Sequence, residues 1–382
     1  MSGPDRIVIE GIGAVGGFGC GISVLSRALT EASSSPGTFD LSTGSGTVRI
    51  PAFLADVSRL GEFIPVRTLR RIDRFSRLAL LGSHLALADA ELPEAERSRL
   101  GIIIASGYGA TGITYAFLKS FISDGDICAS PTYFANSVHN SAAAHISIQL
   151  GATGPSLTVT HFHLSVPSAL ATARLWLAEG RVQRVLFGAV DELSELIGYV
   201  RFRMRHAPPD TPMTPLWTEM ETSIPAEGAA FLLLARESAA RGGYCTLEAS
   251  TTGSMPNSGV PFPEAGLLVL GADGCPESGG RYAAAAQNVR VACYTPLYGS
   301  MPSGPAFDVA AGALILKGGR LFPSPGAAFR DFPATVPAGG DPVGTDRIAC
   351  LTLAEDNAYG LTTLGKLPDT ACVRAREGRT SS

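Results

Sequence analysis

The stretch GPSLTVTHFHLSVPSALATARLWLAEG, residues 154–180, decides the fold. An apolar strand, SLTVT, runs through a tight turn into an Ala/Leu-rich helix over 165–179. Such a turn gathers free N–H groups and the positive end of the helix dipole at one point, a place suited to a nucleophile or an anion. Here it holds His161, Phe162 and His163, with neither a cysteine nor an acid. Two histidines two apart on an extended segment face the same way and could begin a metal site. Zinc needs at least a third ligand, however, and no HExxH or cysteine pair supplies one. Ser165 or Ser168 could pair with a histidine for acyl transfer, but there is no GxSxG, and Pro167 marks a helix start rather than a catalytic elbow. A neutral imidazole packed at the helix N-terminus, its ring filling a vacated pocket, fits without further partners.

Outward from this stretch, apolar runs alternate with helical segments: RIVIEG (6–11), a helix over 74–90, GIIIASG (101–107), a helix over 140–151, VLFGAVDE (185–192) and AAFLLLAR (229–236). Continuous apolar strands between helices imply a parallel sheet covered on both faces. The pattern restarts with YCTLEASTTG (244–253), GLLVLGADG (266–274), VRVACYTP (289–296), a helix over 306–319 and RIACLTLAE (347–355). That repetition predicts two similar αβ halves, 1–243 and a shortened 244–367, followed by a frayed tail over 368–382. The Gly/Pro/Ser-rich segments 31–48 and 253–265 are expected to be loops, and 323–344 a long connection within the second half.

The chain has 382 residues, 45% hydrophobic and 17% charged, with a net charge of −4, enough apolar material for a large core. No run reaches the roughly 18 apolar residues of a membrane span, and the N-terminus lacks a basic segment followed by an apolar one. A cytoplasmic protein is expected. The net negative charge, with no Lys/Arg cluster on a readable helix face, argues against nucleic acid as partner. The seven cysteines, at 20, 128, 245, 275, 293, 350 and 372, form no CxxC pair and read as reduced core thiols. Few charges and much Ala and Gly suggest that another subunit covers some apolar surface. GIGAVGG (11–17) matches G-x-G-x-x-G, but the acid expected some 20 residues on is replaced by SRALTEASSSPG, so no dinucleotide cofactor is expected.

Over nearly its whole length the sequence resembles the β-ketoacyl synthases of the thiolase fold. RIVIEGIGAVGGFGCGISVLSRAL (6–29) is similar to the family's opening strand and loop, and RRIDRFSRLALLGSHLALADAEL (70–92) to its RxxDRFSxLAL helix. SPTYFANSVHNSAAAHISIQLGATGPSLTV (130–159) resembles the approach to the active-site cysteine, and IPAEGAAFLLLAR (224–236) the EGAA strand. The resemblance implies an α/β, thiolase-like fold with its two halves in a layered α-β-α-β-α arrangement. It also implies where catalytic groups would stand. His163 takes the place of the nucleophilic cysteine, Gly271 in GADGC that of the histidine of HGTGT, and Ser300 in GSMPSGPA that of the histidine of GHxxGAAG. The glycine-rich GFGG gate is replaced by LTLAEDNA (351–358).

A ketosynthase fold without its reagents resembles the chain-length-factor subunits of type II polyketide systems, and SVHN (137–140) is reminiscent of ketosynthase-like proteins of aryl polyene clusters. This implies a non-condensing subunit that pairs with an active ketosynthase as a heterodimer, meets an acyl carrier protein and its acyl chain, and bounds the tunnel. Catalytic residues, cofactors and metals are not expected. Tyr108, Tyr133 and Phe134, from loops near the subunit boundary, together with Val159 and His161, are the candidate tunnel and interface residues. The other possibility is a ketosynthase-fold enzyme with altered chemistry, a decarboxylase or acyltransferase using His163 as base or acyl carrier.

Overall fold

In the computed structural model, which describes residues 5–44, 46–205, 207–216, 219–255, 266–285, 289–325, 339–355 and 357–368, one strand order occurs twice. The first half contributes β1 (Ile7–Gly16), with a short return strand β2 (Gly19–Cys20), a hairpin of β3 (Gly37–Thr43) and β4 (Gly46–Ala52), then β5 (Gly101–Ser106), β6 (Ser156–Thr160), β7 (Arg184–Asp191) and β8 (Gly228–Arg236). The second contributes β9 (Cys245–Ser254), β10 (Leu267–Leu270), β11 (Val291–Ala292), β12 (Arg347–Leu353) and β13 (Ala358–Gly365). Across the sheet the first half runs β1-β8-β7-β5-β6 and the second β9-β13-β12-β10-β11. β5 lies parallel to β6 and β7, as β10 does to β11 and β12. β8 is antiparallel to β7 and β1, as β13 is to β12 and β9. The two five-strand sets meet where Val8 and Ile9 pair with Thr246 and Cys245.

The apolar runs explain the layers. Every residue of β1, β5 and β7 is buried, as strands covered on both faces require. The helices Ser165–Ala178 and Pro305–Gly318 each touch strands of both halves, and the largest apolar cluster surrounds them. A second cluster lies under the Arg74–Asp89 helix on the outer face of the first half, and a third around Tyr282 on that of the second. Each fully buried Leu, Ile, Val or Phe contributes about 1.5–3 kcal/mol of transfer free energy, so this three-part core sets the architecture.

Gly11, Gly13 and Gly16 of GIGAVGG lie inside β1, and the first two serve packing. A Cβ on Gly11 would stand 2.5 Å from Ala86 O, and one on Gly13 2.1 Å from Gly82 O, so the Arg74–Asp89 helix approaches β1 backbone to backbone. Asp73 starts that helix, its carboxylate accepting from Ser76 N–H at 2.9 Å.

The structure corrects several local expectations. Within the segment 31–48, expected as loop, β3 and the first residues of β4 pair as the β3–β4 hairpin, with Phe39 opposite Ile50 and Leu41 opposite Val48. Their period-two alternation is hidden by the Gly/Ser turn and by exposed Thr and Asp between the apolar positions. VRVACYTP yields only the two-residue β11, and Thr295–Tyr298 turns helical behind it. β13 was not anticipated, because its Gly and Thr residues dilute the apolar run. The expected tail beyond 368, the loop segment 256–265 and residues 326–338 of the long connection lie outside the described residues, as does Cys372. Cys20, Cys245, Cys275, Cys293 and Cys350 are free thiols, with Cys245, Cys293 and Cys350 buried. Among the described residues no helix is long and apolar enough to cross a membrane.

Candidate functional site

β6 ends at Thr160, and the chain turns through a single 3-10 turn, Phe162–Leu164, into the Ser165–Ala178 helix. Phe162 adopts φ 43°, one of four non-glycine residues among those described with positive φ. The buried Ser165 hydroxyl holds the turn, accepting from His161 N–H at 2.7 Å and facing the carbonyl oxygens of Ser106 and Phe162 at 2.9 and 2.8 Å. The two histidines therefore do not share a face. His161 is exposed, its Nδ1 3.3 Å from Ser168 Oγ, whereas His163 is half-buried and lines a cavity. Among the described residues no group of three His, Cys, Asp or Glu side chains could hold a metal ion.

The cavity of about 20 Å³, room for a single water, is lined by His163, Gly271, Asp273, Thr295, Tyr298, Met301, Gly304, Pro305, Asp308 and Thr352. His163 and Gly271, 108 residues apart in sequence, thus share one wall system. Ser300 is tied to it, donating from Oγ to Asp273 Oδ2 at 2.5 Å and accepting from Arg201 Nη2 at 2.9 Å. Arg201 Nη2 also donates to Ser223 Oγ at 2.5 Å and lies 3.8 Å from Glu221 Oε1. Ser300 is therefore one member of a polar chain running from α-helical Arg201 to Asp273.

The second-half helix Pro305–Gly318 begins at the cavity, and Asp308 in its first turn is 2% exposed. Burial pushes the Asp308 carboxyl up to about 8, against the opposing hydrogen bond from the Tyr298 hydroxyl to Oδ1. At neutral pH it is a carboxylic acid rather than a carboxylate. Nearby Cys293 is inert as a nucleophile, because burial pushes its thiol up to about 12.

Asp191 closes β7 beneath the turn. Its Oδ1 accepts from Ser106 Oγ at 2.8 Å and from the N–H groups of Gly107 and Tyr108 at 3.0 and 2.9 Å, while Oδ2 accepts from Ser303 N–H at 2.8 Å. Tyr108 is thereby fixed at the end of β5, and burial raises its hydroxyl pKa. Tyr133 and Phe134 sit on a short helix, Pro131–Asn136, rather than a loop: Ser130 caps it and Pro131 fits its first position. They are 39% and 61% exposed, and Phe134 lies 5.6 Å from the Phe117 ring. Val159 packs partly against the inner core, on the same face of β6 as the more exposed Leu157.

Asp191, Asp273, Asp308, Tyr298 and Arg201 were not singled out in the sequence. Asp308 had a usable signal, a lone acid within the apolar helix PAFDVAAGALIL. The basic surface was also missed: Arg67, Arg70 and Arg71 are exposed and carry no ion pair among the described residues. Arg67 lies within, and Arg70 and Arg71 just after, a four-residue helix, Val66–Leu69, too short to show a periodic face.

Comparison with known proteins agrees with the topology. Residues 5–240 match the family model described as the β-ketoacyl synthase N-terminal domain. The putative polyketide β-ketoacyl synthase 2 of Streptomyces halstedii is 27% identical over 255 residues, 63% of this chain, and the chain spans 60% of that relative's length. Among solved structures, the ishigamide ketosynthase/chain length factor superposes with TM-score 0.79 at 18% identity, covering 96% of this chain and 100% of that one. A ketosynthase in complex with its chain length factor from Xenorhabdus doucetiae superposes with TM-score 0.75 at 16% identity, covering 96% and 100%. The fold is thiolase-like.

Proposed function

This chain belongs to the β-ketoacyl synthase family, and from that premise we propose that it is a non-condensing subunit of the chain-length-factor type. It pairs with an active ketosynthase and helps bound the tunnel that receives the carrier-bound acyl chain. The observation that carries this reading is the shared cavity of His163 and Gly271, with Ser300 bound to its wall residue Asp273. These are the positions where the resemblance places a cysteine and two histidines, and here they hold no thiol and a single imidazole. Without a thiolate no acyl-enzyme forms, and without paired imidazoles an enolate from malonyl decarboxylation lacks its donors.

Pairing is supported by the surface. β6 pairs with β5 on one side only, leaving an edge strand with Leu157 39% exposed. The Thr111–Asp124 helix, with Leu118 and Phe121 nearly half exposed and Ile122 79% exposed, has no buried residue. The neighbouring Glu195–Met204 helix adds exposed Leu196, Tyr199, Val200 and Met204. Exposed Arg67, Arg70 and Arg71 suit an acidic carrier protein. Tyr133 and Phe134, 39% and 61% exposed, are the side chains this reading assigns to the tunnel, where overpacking by a methylene costs roughly 1–3 kcal/mol.

Co-expression with ketosynthases that retain Cys, His and His tests this. One-to-one co-purification is expected, with carrier-bound products whose length changes in Phe134→Ala. A well-behaved monomer that pairs with none of them overturns the reading.

A further inference from the structure

Asn136 closes the short helix that carries Tyr133 and Phe134, and it is 8% exposed. Its amide joins two other elements. Nδ2 donates to the carbonyl oxygen of Arg71 at 3.2 Å, and Oδ1 lies 3.1 Å from His145 Nε2 on the Ser141–Leu150 helix. The partners fix the orientation. A backbone carbonyl only accepts, so the amide nitrogen faces Arg71, Oδ1 faces the imidazole, and His145 Nε2 carries a proton. The Arg71 carbonyl belongs to the basic turn, whose neighbouring carbonyls are also held. Arg77 donates from Nη2 to Leu69 O at 2.7 Å and from Nε to Ile72 O at 2.9 Å, and the Ile72 N–H donates to Leu69 O at 3.1 Å. The exposed Arg70 and Arg71 therefore stand on a backbone braced by Arg77 on one side and Asn136 on the other. Among the described residues, the bond from Asn136 is the one hydrogen bond between this turn and the Tyr133–Phe134 helix.

A charged turn and a pair of exposed aromatic rings are thus tied to one buried amide. Parting the turn from the helix leaves that amide N–H without a partner, which is costly in a buried place, so a displacement of the Arg71 carbonyl carries Asn136 with it. Phe134 lies two residues before Asn136 in the same helix, and the half-buried His145 holds Oδ1 from the far side, so the amide has no second orientation to turn to. We infer that Asn136 is a positioning residue that couples the basic turn to the Tyr133–Phe134 helix, so that an acidic partner held at Arg70 and Arg71 resets the two aromatic side chains. The inference rests on the reading that these arginines receive the carrier protein and that Tyr133 and Phe134 bound the tunnel. The carrier, as it docks, then sets the side chains that meet its own acyl chain, and chain length depends on a residue that touches neither.

The probe is poly-L-glutamate, which meets arginines by charge alone, titrated into the full-length chain with 4-fluorophenylalanine at Phe134 and followed by fluorine NMR. A shift of the Phe134 resonance that saturates with binding is expected, and added salt weakens the binding. The Arg70→Ala, Arg71→Ala double variant binds at least about fivefold more weakly. Asn136→Leu keeps the volume, adds no charge near the arginines and removes the bond, so binding stays within about twofold while the shift falls at least about threefold. His145→Gln retains an N–H donor toward Oδ1 and keeps the shift, whereas His145→Leu diminishes it and serves as the second variant if Asn136→Leu does not fold. A merely structural Asn136 lowers the melting temperature on substitution but leaves the shift intact. No binding, binding indifferent to the two arginines, no shift at saturation, or a shift undiminished in folded Asn136→Leu or His145→Leu overturns the inference. Co-purification with a ketosynthase is scored separately. A chain that pairs but shows no shift defeats the coupling alone, and a chain that shows the shift but never pairs defeats the subunit reading alone.

Discussion

Ser303 donates its backbone N–H to Asp191 Oδ2 at 2.8 Å, joining the second half's turn to the end of the first half's β7. With Ser106, Gly107 and Tyr108 on Oδ1, one carboxylate satisfies four donors below the cavity. Asp191→Ala leaves these donors unpaired and is expected to cost roughly 3–5 kcal/mol. Asp191→Asn turns an amide N–H toward at least one of them and should also destabilise. Urea denaturation reads the difference; a midpoint unchanged in Asp191→Ala would show that the halves are held together without this bond.

Two other buried carboxyls bind protons more tightly in the folded chain than in the unfolded one. Burial comes first in both cases, pushing Glu192 up to about 7 and Asp308 up to about 8. Around Glu192 the Gly112 N–H and Arg74 oppose the shift, while Asp73 and Glu227 add to it. Because the folded values exceed the unfolded ones near 4, the associated stability is full below pH 4 and is lost as pH rises through 7 and then 8. Urea midpoints should therefore fall between about pH 4.5 and 8 and level off above that. For Glu192 the linked free energy is roughly 3 kcal/mol, and Glu192→Gln should flatten part of the slope. Midpoints that climb with pH across this window contradict the assignment.

The strand-turn-helix over 154–180, the apolar runs of β1, β5, β7 and β8, and the restart after 243 were legible because burial on both faces leaves unbroken apolar sequence. His163, Gly271 and Ser300 were singled out only through motif resemblance; the structure brings His163 and Gly271 to one cavity and binds Ser300 to its wall residue Asp273. Asp191 and Asp273 escaped because their roles depend on distant partners, Ser303 and Ser300, that only folding brings close. The β3–β4 hairpin escaped for a different reason: its apolar side chains are few, and hairpin pairing rather than a continuous run defines it.

Restoring the cysteine is not expected to restore condensation. His163→Cys leaves Gly271 and Ser300 without imidazoles, and catalytic units of this kind are strongly non-additive. Nor does Gly271→His fit. Its Cβ would stand 3.3 Å from both Asp308 Oδ2 and Leu351 O and 3.4 Å from Tyr282 Oη, so the ring has no room without moving buried groups. The combined variant should melt earlier and form no condensed product from malonyl and acyl carrier thioesters, followed by mass analysis. Robust turnover by His163→Cys alone would mean that the second-half motifs were aligned wrongly.

The edge strand offers the sharpest test of pairing, and the side chain chosen matters. Leu157 and Val159 share one face of β6, opposite Ile103 and Ala105 of β5, but they meet different surroundings. Val159 packs against the inner core, so Val159→Asp places a charge beside apolar groups and should unfold the chain as well as prevent pairing. Leu157 is 39% exposed, and Leu157→Asp should leave the melting behaviour of the isolated chain within about 1 kcal/mol. In a complex that extends the sheet across β6, the same aspartate is desolvated without a partner, a cost of several kcal/mol that abolishes co-purification with the ketosynthase. Size-exclusion chromatography of co-expressed proteins, with melting curves of each variant alone, separates the two effects. A folded Leu157→Asp protein that still elutes one-to-one with its partner would place the interface elsewhere, with the apolar Thr111–Asp124 helix the next surface to probe.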